Sequence, residues 1–163
     1  MEPIESATEI DYARLAAYID GEGHIEISCN KTHRYYMLKV TIVNGDFRLP
    51  EWCQDHFGGI LCRFRYHGDP KNYAPMKRWI LSSWQASNVL KRCLPYFICK
   101  REEAEKAIQF KQTFGSRGTR ITESDRTRRE ELMLELRNMT KTGPKEQIEK
   151  PKKPSPQSNL FAN

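Results

Sequence analysis

The sequence predicts an α+β domain of αββαββα order, with a four-stranded antiparallel sheet and one further C-terminal helix. Three observations carry this. Two pairs of segments alternate apolar and polar residues, the mark of antiparallel hairpins with one solvated face. Helical periodicity precedes, separates and follows those pairs. A chain of 163 residues holds one hydrophobic core, or one core plus a tail.

The first helix runs from about Glu9 to Gly21, with Ala13, Ala16, Ala17 and Ile19 on its inner side and glycine supplying the stop. His24 to Asn30 then alternates. Ile25, Ile27 and Cys29 share one face; His24, Glu26, Ser28 and Asn30 share the other. After a turn over residues 31–34, Tyr35 to Val43 points Tyr36, Leu38, Val40 and Ile42 inward and Tyr35, Met37, Lys39 and Thr41 outward. Asn44-Gly45-Asp46 is a turn and helix start, and the helix from about Phe47 to Phe57 accepts Pro50 in its first turn. Gly58-Gly59 ends it.

In the third strand, Ile60 to His67, alternation puts Arg63, Arg65 and His67 on one face, and Cys62, Phe64 and Tyr66 on the other. A polar loop from Gly68 to Pro75 leads to a fourth strand, Met76 to Ser83. Helix resumes from about Gln85 to Phe114, broken at Pro95. A Gly/Arg-rich loop, Gly115 to Ile121, precedes a last helix that Thr122 or Ser124 caps and that ends near Met139. The stretch 140–163 has four prolines and five lysines and few large apolar residues. It reads as a disordered tail, so the domain is placed at 1–140 and the tail at 141–163.

Charge is uneven. Residues 1–59 hold five basic and ten acidic residues, a net of −5, whereas 60–80 hold five and one, net +4, and 81–163 hold seventeen and ten, net +7. The whole chain is +6 with a pI near 9.1, which favours a polyanionic partner. Five cysteines without a CxxC pair argue against zinc or disulfide frameworks and for reduced thiols, mostly buried. No apolar run reaches membrane-span length, and the acidic N-terminus is neither a signal nor a transit peptide. An intracellular soluble protein is expected, in a DNA-containing compartment such as a bacterial cytoplasm or organelle matrix.

The stretch Leu15-Ala16-Ala17-Tyr18-Ile19-Asp20-Gly21-Glu22-Gly23 places Asp20 and Glu22 at a helix C-terminus, where partial negative charge disfavours carboxylates. Two readings are open: acids that face water beyond a Gly-capped end, or acids compensated by a cation, for which a bound divalent metal is the economical candidate. Ala13, Ala17 and Gly21 also line a small-residue stripe at four-residue spacing. That stripe suits ordinary core filler or the close approach of a second helix.

LAAYIDGEG resembles the signature of the LAGLIDADG homing endonucleases. Phe57-Gly58-Gly59 resembles that family's turn before the third strand, and Leu94-Pro95-Tyr96-Phe97-Ile98-Cys99-Lys100-Arg101 its helix break before a basic residue. The likeness spans about residues 8–114. It implies the αββαββα homing-endonuclease-like fold and a metal-dependent nuclease. Glu22 is then the metal-binding carboxylate, one methylene longer than the family's aspartate, with the Gly21 carbonyl as second ligand. The oxygen donors suit Mg²⁺ or another hard divalent cation. Lys100 matches the family's active-site lysine, and Asn44 and Arg48 fall where the family carries further polar active-site groups.

The resemblance further implies that the open sheet face reads double-stranded DNA. Arg63, Arg65 and His67 would lead that surface, extended by Glu26, Ser28, Asn30, Tyr35, Lys39 and Thr41, with either Lys77 or Arg78 from strand four. Arg117 and Arg120, and beyond them Arg126, Arg128 and Arg129, would grip phosphates. One motif in one αββαββα unit implies a homodimer joined through Ala13, Ala16, Ala17, Asp20 and Gly21. The expected function is a site-specific double-strand endonuclease with a long near-palindromic target. An intron RNA maturase or a non-cleaving DNA-binding protein of the same fold is the alternative.

Overall fold

The alternating segments pair into one antiparallel sheet of order β1-β2-β4-β3, with β1 Gly23–Asn30, β2 Tyr35–Asn44, β3 Ile60–Phe64 and β4 Met76–Ser82. The computed structural model describes residues 7–30, 35–64, 74–114 and 122–141. Of the expected 141–163 tail, Lys141 is the last residue of a helix and the rest lies outside the described residues. Rungs Ile25↔Val40, Val40↔Leu81 and Ile42↔Trp79 stack apolar side chains on one face, and burying that face fixes the register. Against it pack α1 (Glu9–Glu22), α2 (Arg48–Phe57), α3 (Ser83–Cys93), α4 (Arg101–Gln112) and α5 (Glu123–Lys141). The helical break falls where the proline requires: a 3-10 turn over Leu94–Tyr96 separates α3 from α4.

Leu15, Ile19, Ile25, Val40, Ile42, Trp79, Leu81, Leu90 and Phe110 are fully buried in this core. Each large side chain contributes about 1.5–3 kcal/mol by leaving water. Two capping boxes start helices. Thr8 Oγ1 accepts the Asp11 N–H at 3.3 Å while Asp11 accepts the Thr8 N–H at 2.9 Å. Thr122 and Asp125 repeat this at 3.1 and 3.0 Å, so Thr122 rather than Ser124 caps α5.

Two glycines are fixed by close approach. A Cβ at Gly59, whose φ is +89°, would lie 2.6 Å from the Ile80 carbonyl oxygen. One at Gly23 would lie 2.6 Å from the Ile19 Cα, where β1 folds back on the last turn of α1. Gly21 differs: a Cβ there meets nothing within 4 Å.

The structure corrects three expectations. β3 is turned over. Leu61 pairs with Trp79 and Arg63 with Lys77, so Leu61 and Arg63 lie on the helix side and Cys62 and Phe64 on the open side. The reason is a contact between distant parts of the chain: the Trp79 indole N–H donates to the Gly58 carbonyl at 2.7 Å and pulls the start of β3 across it, seating Leu61 against the core. Ala16 is fully buried against the chain's own core, and Ala17 is exposed. Among the cysteines, Cys53 and Cys93 are buried and Cys29 half-buried, but Cys62 and Cys99 are exposed. Burial pushes the Cys53 and Cys93 thiols up to about 12.

Candidate functional site

The end of α1 is the structural centre of the site. Its orphaned carbonyls are satisfied from within the chain. The Lys100 ammonium donates to the carbonyls of Ile19 at 2.7 Å, Asp20 at 3.0 Å and Gly23 at 2.8 Å. The cation that offsets the helix terminus is thus a lysine brought from 80 residues away in sequence. Asp20 is also used internally, its carboxylate accepting the Ile98 N–H at 2.7 Å and the Lys100 N–H at 2.8 Å. These bonds dock the segment before α4 onto α1 and fix where Lys100 stands. Beside it, Glu103 Oε2 is buried with no partner among the described residues. Burial holds that carboxyl above the usual range, while the charges of Lys100 and His24 act the other way.

Glu22 remains exposed at the tip. Asn44 Nδ2, at the end of β2, donates to Glu22 Oε2 in a short hydrogen bond. Asn44 Oδ1 in turn accepts the Asp46 N–H at 2.7 Å, and the Asp46 carboxylate accepts from Arg48 Nε at 2.9 Å and the Arg48 backbone N–H at 3.1 Å. The Arg48 guanidinium, followed by its backbone N–H, holds the Asp46 carboxyl down to about 2. Glu22, Asn44, Asp46 and Arg48 therefore form one connected chain along a cleft of about 510 Å³, whose other walls are Arg14, Tyr18, Leu49 and Trp52. Asp46 and Arg14 carry no prior expectation. Spacing could have found Arg14, since Arg14, Tyr18 and Glu22 recur every four residues along α1.

The donors at the tip are oxygens only. Gly21 supplies one of the last-turn carbonyls, and those taken by Lys100 are its neighbours Ile19, Asp20 and Gly23. Among the described residues no three His, Cys, Asp or Glu side chains are grouped to hold a metal. Oxygen donors of this kind suit a hard cation, and the described ones of this chain do not complete its coordination shell.

On the sheet, β1 and β2 present the expected residues. Glu26, Ser28, Asn30, Tyr35, Lys39 and Thr41 all lie on the face opposite the core. Strand four is resolved in favour of Arg78, which pairs with Val43 and Cys62 on that open face. Lys77 is on the helix side, where its ammonium pairs with Glu51 and sits 4.9 Å from the Phe47 ring centroid. Arg63 shares that side. The expectation of an open face led by Arg63, and of Lys77 as its alternative to Arg78, is thus corrected. Arg65, His67, Arg117 and Arg120 lie outside the described residues.

Arg129 is also corrected. It is 4% exposed, stacked 3.8 Å from the Phe114 ring centroid, and donates to Thr113 Oγ1 at 3.0 Å and the Thr113 carbonyl at 2.8 Å. It is a structural residue. Arg126 and Arg128 stay exposed and pair with Glu123 and Glu131. On α1, Ala13 is half-buried and Ala17 and Gly21 are exposed, so these three, unlike Ala16, form an outward small-residue stripe. No described helix is long and apolar enough to cross a membrane.

No protein-family model and no curated protein matches the sequence. Solved structures do. The homing endonuclease I-CvuI, in complex with its target in the presence of calcium, superposes with a TM-score of 0.66 at 19% identity, covering 84% of this chain and 85% of that one. The archaeal intron-encoded homing endonuclease I-Vdi141I, complexed with DNA, gives 0.67 at 14% identity, covering 83% and 87%. The meganuclease I-SmaMI bound to uncleaveable DNA gives 0.55 at 14% identity, with 83% of this chain matched to 44% of that one. At these identities the likeness is one of architecture. This chain has the homing-endonuclease fold.

Proposed function

We propose that this chain is a LAGLIDADG-type homing endonuclease that acts as a homodimer and cuts both strands of a long, near-palindromic DNA site. One observation carries the reading. The exposed Glu22 carboxylate stands at the end of α1, oriented by Asn44, directly beside the Lys100-capped carbonyls. The outward stripe of Ala13, Ala17 and Gly21 supports the dimer. Gly21 has a side-chain volume that nothing in its own chain requires to be empty, which a second helix packed backbone to backbone would explain. Two copies then bring two Glu22 carboxylates together at the two-fold axis.

Glu22 and the Gly21 carbonyl would hold Mg²⁺ there, and the ion would lower the pKa of an attacking water and neutralise the phosphodiester oxygens. The protein's own groups do the rest. Asn44 fixes the Glu22 carboxylate, Arg48 places a permanent cation at the mouth of the cleft, and Lys100 holds the helix end rigid. The open sheet face carries the duplex, and an intracellular DNA-containing compartment follows from that substrate.

Glu22→Gln keeps the shape and the bond to Asn44 but removes the charge. With duplexes selected from a randomised library, this variant is expected to bind as the parent does and to cut at least a thousandfold more slowly. Cleavage at the parental rate would sink the assignment. A parent chain that binds duplex DNA but leaves it uncut with Mg²⁺ present would instead be a non-cleaving protein of the same fold.

A further inference from the structure

The open face of the sheet is divided in chemistry. Along β1 and the hairpin end of β2 it is mostly polar, with His24, Glu26, Ser28, Tyr35 and Lys39 beside Met37. Over β3, β4 and the end of β2 it is apolar: Val43, Ile60, Cys62, Phe64, Met76 and Ile80 surround one charged residue, Arg78. Ile60 is 61% exposed. A surface of this kind is costly to leave in water unless something covers it. The guanidinium carbon of Arg78 lies over the Phe64 ring, 4.0 Å from its centroid, and its Nε is buried with no partner among the described residues. Among the described residues no carboxylate is paired with it.

The patch has a defined place. Val43↔Arg78 is the rung next to Asn44↔Lys77, and Asn44 touches Glu22. The apolar half is therefore adjacent to the candidate active site, as is His24 at the start of β1, whereas the tip of the β1–β2 hairpin at Tyr35 is eight residues from Val43, about 26 Å further along the sheet. A duplex lying on this face meets the apolar half and His24 with the base pairs nearest the cut, and the hairpin end of β1 and β2 with those further out.

In the major groove only one base edge is apolar, the thymine C5-methyl, and a stacked arginine pairs best with the O6 and N7 of guanine. Resting on the reading of the chain as a DNA endonuclease, we infer that the apolar half of the sheet reads thymine methyl groups around a single guanine. Each half-site then has an inner segment rich in thymine with one G·C pair under Arg78, and an outer segment read through hydrogen bonds. Phe64 acts as the platform that holds the guanidinium in plane, so Arg78 is a specificity-determining residue for the inner segment.

The test acts mainly on the DNA. Duplexes that the full chain binds are selected from a randomised library, and the inner thymines are then replaced one at a time by deoxyuridine. Each inner replacement is expected to weaken binding about threefold, the worth of one buried methyl, with no change at outer positions. Replacing the inner guanine by 7-deazaguanine, or Arg78→Lys in the protein, should flatten preference at that one pair and leave overall DNA affinity within about threefold. Bound duplexes with no inner thymine or guanine preference, or full tolerance of deoxyuridine, overturn the inference alone. A chain that binds no duplex at all removes the endonuclease reading with it. If, in addition, Ile60→Ser abolishes self-association in sedimentation, the patch belongs to a second copy of the chain instead of to DNA.

Discussion

Helix α4 begins and ends with a lysine held by opposite means. Lys100, at its N-cap, gives its ammonium to three carbonyls at the negative end of α1. Lys111, in the last turn, is 7% exposed and lies 4.2 Å from the ring centroids of both Trp84 and Phe114, with Arg129 stacked on the far side of the same cluster. The first cation meets full hydrogen-bond acceptors. The second lies against two aromatic rings and near a positive charge, and burial followed by Arg129 pushes its pKa down. A lysine at a helix end is therefore not one kind of residue: one donates to backbone carbonyls and ties the site together, the other tolerates its charge within packing.

The largest effect should come from Lys100→Met. Removing the ammonium leaves the α1 carbonyls without donors and frees the helix end that carries Glu22, so denaturant unfolding should report a loss of about 2 kcal/mol. Cleavage should fall about a hundredfold from misplacement of that end. A variant that cuts normally would show that the cap and the site are independent. Lys111→Met should behave in the opposite way. Its charged form is disfavoured by the fold, so the change should move stability by less than about 1 kcal/mol, in the stabilising direction, with cleavage unchanged. A loss of 2 kcal/mol or more would mean that the two rings bind the cation more strongly than burial opposes it.

The smallest effect is in pH. The unfolded chain's Lys111 titrates near 10.5 and the folded one lower, so between those values the unfolded state binds more protons. Stability should then rise with pH through that window below 10.5, and the rise should vanish in Lys111→Met. Stability curves from denaturant melts at successive pH values decide it.

Much of the fold was legible because alternation and helical periodicity report which residues share a face. The β1 and β2 faces and the breaks at Gly58-Gly59 and Pro95 all follow from local pattern. The site was legible in part. The motif pointed to Glu22 and Lys100, which the structure brings to the same helix end; of the two open readings of the α1 terminus, water-facing acids or a compensating cation with a metal as its economical candidate, the structure supplies a cation, the ammonium of Lys100. Asp46 was hidden because its role depends on two neighbours that are themselves turned toward the cleft.

What the sequence determined alone was the order of elements and the pairing of like faces, since both arise from interactions within a few residues of chain. Only the tertiary structure decided which of two alternating faces turns inward. In β3 both sets contain apolar residues, so periodicity is neutral, and the choice fell to contacts with distant chain: the Trp79 indole on Gly58, and Leu61 opposite Trp79. The same holds for Ala16 against Ala17 and for buried Arg129. Small or long amphipathic side chains suit either environment, and what packs against them settles the matter.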